Sequence, residues 1–226
     1  MLRFFIQPQL NTIVDSVIGY EMLIKEYRDG TWRMPASFSA IPAHDMAELL
    51  IATAKELSLK VGSVSFNVDR NQILDDQLIH ALIAAQTVLR PVKLIIELIE
   101  NDVKPSVSDE QLIEVVTQLN DFGIQFCLDD VGSGINTWPA VKPLLPYTRE
   151  LKYALQNYKE HLDESAAENH VTFWQNLATK HQMRFILEGI EDDNDDAWAD
   201  SMNIDLRQGY YYGRPTLMKI HPDDPD

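Results

Sequence analysis

Cysteine is nearly absent: Cys127 stands alone in 226 residues. No intrachain disulfide can form, which fits a reducing cytosol. Cys127 lies inside the apolar run "QFCL" and reads as a core residue. Long apolar runs are also missing. No segment carries the ~18 residues a bilayer span needs, so no membrane contact is expected. The opening "MLRFFIQPQ" is too short in its apolar part for a signal peptide and reads as a strand. Met1 directly before that strand favours a free-standing domain, placed in the cytoplasm. Positive charge is scarce: 19 Lys and Arg face 35 Asp and Glu, for a formal net charge of −16. That argues against broad binding to polymeric nucleic acid or an anionic membrane. It leaves room for a small anionic ligand, because bound cations invert the sign of a local site. Neither GxGxxG nor GxxxxGK[ST] occurs, so there is no dinucleotide or P-loop signal. The six histidines show no HxH or HExxH spacing. No Gly/Ser linker or internal repeat divides the chain, so one domain over 1–226 is expected.

What is present is an alternation of short apolar runs and amphipathic stretches. Residues 3–7 and 17–24 read as strands separated by a turn at Asn11 to Ser16. Residues 44–59 have helical periodicity, 63–68 alternate as a strand, and 72–89 are helical. Residues 93–99 read as a buried strand. The stretch 108–123 starts with Ser108 as N-cap and Gln111 closing a capping box, repeats Leu112, Val115, Val116 and Leu119 on one face, and stops at Gly123. Residues 124–128, 149–153 and 184–189 are further strands, with a helix over 171–181. Residues 206–213 form the last strand and its exit, and "HPDDPD" reads as a solvated end. With 45% hydrophobic residues, strand–helix alternation over this length predicts an α/β fold, a compact (β/α)8-type barrel. An open doubly wound sheet is the alternative.

Most of the apolar runs end in a polar residue: Glu21, Asn67, Glu97, the pair Asp129 and Asp130, Lys152, Glu188 and Gln208. In a barrel those ends converge on one mouth. Carboxylates gathered there repel one another unless cations neutralise them. Oxygen ligands with an amide and without cysteine or histidine suit Mg²⁺, Mn²⁺ or Ca²⁺ rather than zinc. The adjacent aspartates precede Gly-Ser-Gly, where the chain can turn the second carboxylate back towards the mouth. Asp129 would then bridge two metals while Asp130 binds one, an arrangement able to clamp a phosphodiester. A single strand-end carboxylate is more often a solvated residue or a cap, and a DD pair before glycine is often an Asx turn. The same placement on strand after strand is harder to dismiss.

These motifs resemble the EAL-domain family of bacterial cyclic di-GMP phosphodiesterases, from about residue 3 to residue 215. "IQP" resembles YQP, "YEMLIK" sits where EALLR gives the family its name, "FNV" resembles VNLS, and "IELIE" resembles ELTE. "LDDVGSG" resembles LDDFGTG, "LKYA" resembles LKID, "LEGIE" resembles AEGVE, and "QGYYYGRP" resembles QGYLFGRP. The resemblance implies a modified TIM barrel with one antiparallel strand near its start. It implies two Mg²⁺ or Mn²⁺ ions and hydrolysis of cyclic di-GMP to linear pGpG. Glu21, Asn67, Glu97 and Asp129 would hold the first ion, and Asp129, Asp130 and Glu188 the second. Lys152 would orient the attacking water, Gln208 would hold the water network or the phosphate, and Glu188 would serve as ligand more than as base. Gln7, Lys25 and Arg214 match substrate-binding positions. Glu100 and Glu191 match positions that steady the loops around the metals. A homodimer is an arrangement common in the family.

Some positions depart from the pattern. Met22 replaces the alanine of EAL, and Val131 and Ile135 replace aromatic residues of a loop tied to dimerisation and metal geometry. Lys25 replaces an arginine, keeping the charge but losing the bidentate fork. Ala154 replaces the aspartate of KID. The alternative function is therefore a degenerate domain that binds cyclic di-GMP as a receptor or serves as an interaction module. A divalent-metal lyase acting on a phosphorylated sugar is a third reading. The tyrosines at 210–212 and Trp138 read first as packing and second as a stacking surface for guanine.

Overall fold

The computed structural model describes residues 1–38, 40–99, 107–159 and 164–226. The chain opens with a long hairpin of β1 (Leu2–Asn11) and β2 (Ser16–Arg28), paired antiparallel. From β2 the sheet continues in parallel through β4 (Ser63–Val68), β5 (Lys93–Leu98), β6 (Gln125–Leu128), β7 (Glu150–Ala154), β8 (Arg184–Glu188) and β9 (Leu206–Gln208). β1 then pairs antiparallel with β9 as well as with β2, which closes eight strands into a barrel. Closure rules out the open sheet, and β1 is the strand that runs against both of its neighbours. Two short strands lie outside the ring: β3 (Thr31–Arg33) extends β2, and β10 (Thr216–Leu217) pairs with β1.

Helices cover the outside. α1 (Ala43–Leu57) buries Met46, Ala47, Leu50, Thr53, Ala54 and Leu57, one face at three- and four-residue spacing. α2 (Asp76–Leu89) is capped by Asp75, which accepts from the Gln77 and Leu78 amides. α3 (Asp109–Asp121) has the expected capping box: Ser108 Oγ accepts from Gln111 N at 3.3 Å, and Gln111 Oε1 accepts from Ser108 N at 3.1 Å. Further helical segments are α4 (Trp138–Val141), α5 (Gln156–Lys159), α6 (Glu164–Lys180) and α7 (Asp193–Ser201). α6 begins earlier than its apolar periodicity indicates, because its first turns are polar. The apolar core lies between barrel and helices, with Phe4, Met22, Leu50, Val64, Leu82, Leu94, Phe126 and Trp174 nearly inaccessible. Cys127 is a buried free thiol, but it is not part of that apolar core: it faces the barrel interior, level with Glu97 and Glu150, and burial pushes its pKa well up.

The inside of the barrel is polar instead. Gln9, Glu21, Ser65, Glu97, Glu150, Lys152 and Gln208 are all buried. Side chains alternate along each strand, so one face meets the helices and the other lines the interior, where Ile95, Cys127 and Ile186 join the polar residues. Towards the start of the strands, Arg184 Nε lies 2.9 Å from Glu150 Oε2, and its Nη2 donates to Gln125 Oε1 at 3.1 Å.

The chain's last residues are a solvated end only in part: His221, Pro222, Asp223 and Asp226 are exposed, but Asp224 is clasped. Asp224 is buried and accepts Arg3 Nε at 2.8 Å and Nη2 at 2.5 Å, together with the Ile220 and His221 amides. Trp32 Nε1 donates to Pro225 O at 3.2 Å. Two charge-assisted bonds to one guanidinium outweigh the cost of burying this carboxylate. Arg3, helped by the His221 and Ile220 amides, holds the Asp224 carboxyl far below its usual range, against burial, which acts the other way. Asp224→Ala is expected to cost about 1–3 kcal/mol and to release 216–226 to limited proteolysis. A depressed carboxyl contributes stability above its unfolded pKa of about 3.9 and loses it as pH falls. The difference between parent and variant should therefore shrink below about pH 4. An unchanged melting temperature at pH 7 would refute the clasp.

Candidate active site

Register places the polar strand residues in one layer. Glu21 lies opposite Gln7 on β1 and beside Ser65 on β4. Asn67 is level with Glu97, Ala154 with Glu188, and Gln9 with Gln208. Lys152 is the centre of this layer. Its Nζ lies 2.7 Å from Glu97 Oε2, 3.3 Å from Glu21 Oε2 and 3.3 Å from Asp129 Oδ1, and it contacts Glu188 Oε1. Glu21 is held further by Asn67 Nδ2, which donates to Oε1 at 2.6 Å, and by Gln208 Nε2, which donates to Oε2 at 2.5 Å. The side chains of Glu21, Asn67, Glu97, Asp129, Lys152, Glu188 and Gln208 thus meet in one contiguous cluster. They come from strands separated in sequence by as many as 187 residues.

One ammonium faces four carboxylates here. Burial alone would pull the Lys152 pKa down, but the carboxylates, Asp129 and Glu188 foremost, drive it well up. Burial pushes Glu97 and Glu188 well above the usual carboxylate range, against the pull of Lys152. At Glu21 burial acts the same way, but Lys152, Gln208 and Asn67 outweigh it and hold the pKa low. The cluster is therefore short of positive charge.

The aspartate pair is explained by its backbone. Asp130 sits at φ +47°, in the left-handed region. The turn brings its carboxylate to the same side as that of Asp129, and oxygens of Asp129, Asp130 and Glu188 lie within 4.8 Å of one another. The loop after the pair is held although Val131 and Ile135 are aliphatic. Val131 N donates to Lys152 O at 3.0 Å, and Gly132 N to Asn136 O at 2.8 Å. Asn136, fully buried, donates from Nδ2 to Asp129 O at 2.6 Å and to Leu98 O at 3.1 Å, and its Oδ1 accepts from Arg70. An asparagine after Gly-Ser-Gly reads as an ordinary turn residue, so its sequence carries no sign of this role.

The donor set suits a hard divalent cation. Asn67 Oδ1, Glu97 Oε1 and Gln208 Oε1 are buried oxygens without a hydrogen-bond partner among the described residues. Buried acceptors of this kind are costly unless something donates to or coordinates them.

The remaining site residues are more dispersed. A cavity of about 280 Å³ is lined by Gln7, Glu21, Glu188, Glu191, Gln208 and Tyr210, among others. Gln7 Nε2 donates to Gly213 O at 3.2 Å. Arg214 is exposed and lies 4.2 Å from the ring centre of Tyr210, so it occupies a face that a base could otherwise stack on. Lys25 sits four residues beyond Glu21 on β2, roughly 13 Å along the strand, with Nζ 4.1 Å from the Phe5 ring centre. Trp138 packs edge-on against Phe173. Glu191 is exposed, and its amide donates to Asp195 Oδ2 at 2.8 Å; Asp192 caps α7 beside it. Ala154 is fully buried at the end of β7 on the Lys152 face. Glu100 lies outside the described residues.

Fold and mouth together define a TIM-like α/β barrel with an acidic, lysine-centred opening. The chain belongs to the EAL domain family, whose model matches residues 1–215. That family consists typically of cyclic di-GMP phosphodiesterases, and its members bind divalent metals. Three solved structures share the fold. PaMucR phosphodiesterase in complex with c-di-GMP is 19% identical, with TM-score 0.76 over 96% of this chain and 97% of that one. The Bacillus subtilis YkuI protein, solved with substrate c-di-GMP and calcium, is 19% identical with TM-score 0.76, covering 99% of this chain and 57% of that one. A stand-alone EAL protein from Vibrio cholerae O395, bound to c-di-GMP, is 19% identical with TM-score 0.73, covering 97% and 94%. Among curated proteins, none matches the chain in sequence. No helix among the described residues is long and apolar enough to cross a membrane.

Proposed function

We propose that this protein, acting as one domain over 1–226, hydrolyses one phosphodiester bond of cyclic di-GMP to give linear pGpG. The observation that carries the reading is the cluster in which Lys152 faces four carboxylates, with buried oxygens of Asn67, Glu97 and Gln208 unpartnered among the described residues. Two Mg²⁺ or Mn²⁺ ions would be held by Glu21, Asn67, Glu97 and Asp129 on one side and by Asp129, Asp130 and Glu188 on the other. When bound, they would neutralise the phosphate and make a water acidic enough to attack it.

The chain's own groups do the rest. A water oxygen bonds to phosphorus as the P–O3′ bond breaks; the water gives up one proton and the leaving 3′-oxygen gains one, leaving a 5′-phosphate and a 3′-hydroxyl. Lys152, whose ammonium form the surrounding carboxylates favour, would donate a hydrogen bond that orients the water. Its contacts with the carboxylates hold Nζ in place at the barrel mouth. Gln208 orients Glu21 through Nε2. Gln7 and Arg214 lie at or beside the cavity, where a dinucleotide would reach them, and Lys25 offers charge further along β2. PaMucR, YkuI and the Vibrio protein, each solved with c-di-GMP, support this substrate.

The test is to incubate the protein with cyclic di-GMP and Mn²⁺ or Mg²⁺, with an EDTA control, and to separate the nucleotides by chromatography. Metal-dependent pGpG is the expected product. Glu21→Ala removes the acceptor that Asn67, Gln208 and Lys152 share. It should lower turnover by about 10³-fold, a loss of ~4 kcal/mol in the transition state. Normal turnover by this variant would refute the site. Ala154 favours one second reading, a receptor that binds the dinucleotide intact, because β7 ends without a carboxylate. Binding without turnover would establish it.

A further inference from the structure

We infer that Asn157, on α5, is a positioning residue for the Asp130 carboxylate and thereby sets metal affinity at the Asp129–Asp130–Glu188 group. The inference rests on the metal-dependent reading of this site. Asn157 Nδ2 donates to Asp130 Oδ1 at 3.2 Å and to Ser133 Oγ at 3.4 Å. The hydrogen-bond inventory fixes which end of the amide faces the turn. An ionised carboxylate can only accept. The single hydroxyl proton of Ser133 goes to Asp130 O, at 3.0 Å. Both partners therefore need donors, and only the NH2 end supplies two.

Asp130 needs such support more than its neighbour does. Its left-handed backbone is unfavourable for a residue with a Cβ and persists when surrounding bonds over-determine it. Ser133 grips the Asp130 carbonyl twice, through its amide at 3.1 Å and through its hydroxyl. Those bonds act on the Asp130 backbone, not on its carboxylate. The bond from Asn157 acts on the carboxylate itself.

Partners of this kind typically change metal affinity 10–100-fold. Asn157→Leu keeps the branched shape and removes both donors. Titration calorimetry with Mn²⁺ alone should show about 10-fold weaker binding than the parent. Asn157→Ala, at a half-buried position with no large side chain to lose, should show the same. In an Asp130→Asn background the Asn157→Leu effect should vanish, since no carboxylate remains to be oriented. A merely structural role would lower affinity equally in both backgrounds. Unchanged Mn²⁺ affinity in both single variants, or an equal effect in both backgrounds, overturns the inference. A parent that binds Mn²⁺ through Asn157 yet leaves cyclic di-GMP intact overturns only the hydrolase reading. A parent that binds no Mn²⁺ overturns both.

Discussion

Lys152→Met is expected to lower the stability of the metal-free protein by about 3–5 kcal/mol. In a chain of this size that is a fall of roughly 10 °C in melting temperature. Methionine matches the length of the lysine stem, so packing is largely kept and the lost quantity is charge. The four carboxylates within reach of Nζ then face one another without a cation. Removing one partner of a buried ionic group is costly because the other charges stay buried. The same reasoning gives the sign of the metal effect. Mn²⁺ should raise the melting temperature of the variant more than that of the parent, because the added cation relieves a larger repulsion. Thermal unfolding in EDTA and in Mn²⁺ measures both. A variant as stable as the parent in EDTA would show that Lys152 is not the charge centre.

Gly209→Ala should be nearly as damaging, by steric contact alone. A Cβ at this position would lie 2.5 Å from Ile190 N and 2.7 Å from Ile190 C, and closer still to Ile190 O. These are backbone atoms, and they are tied. Ile190 N donates to Gln208 O at 3.3 Å, and Ile190 O accepts from Tyr211 N at 3.0 Å. The exits of β8 and β9 therefore cannot separate without moving both Glu188 and Gln208. Overpacking costs typically 1–3 kcal/mol, and a backbone that cannot yield puts this case at about 3 kcal/mol or more. Melting should fall by roughly 6–12 °C, and turnover should fall with it as the Gln208–Glu21 bond is lost. Gly62→Ala is the control, since nothing lies within 4 Å of its added Cβ. Equal melting temperatures for the two variants would contradict the account.

Much of the candidate site was legible because a barrel turns sequence position into spatial position. A polar residue at the end of an apolar run faces the mouth whichever helix follows, so Glu21, Asn67, Glu97, Asp129, Lys152, Glu188 and Gln208 could be named from strand ends. Asn136 and Asn157 could not. Each is an amide in a turn or a short helix, and each gains its role from where another strand places Asp129 or Asp130. Arg3 and Asp224 were hidden for the same reason, being 221 residues apart. A run of aspartates and prolines at 221–226 looks like solvated chain until a guanidinium on β1 is brought against it.

By itself the sequence determined the local elements, the side chains facing in or out, and the family. These follow from periodicity and from hydrogen bonds spanning a few residues, such as the box of Ser108 and Gln111. Only the tertiary structure decided how the ring closes. That depends on β1 pairing with β2 and β9 at once, with a register shift at Gln9 and Leu10. Closure alone also decided that a single ammonium is shared among four carboxylates. Coulomb interactions depend on distance through space, and the distance between β2 and β7 is set by the intervening strands, not by either strand's own residues.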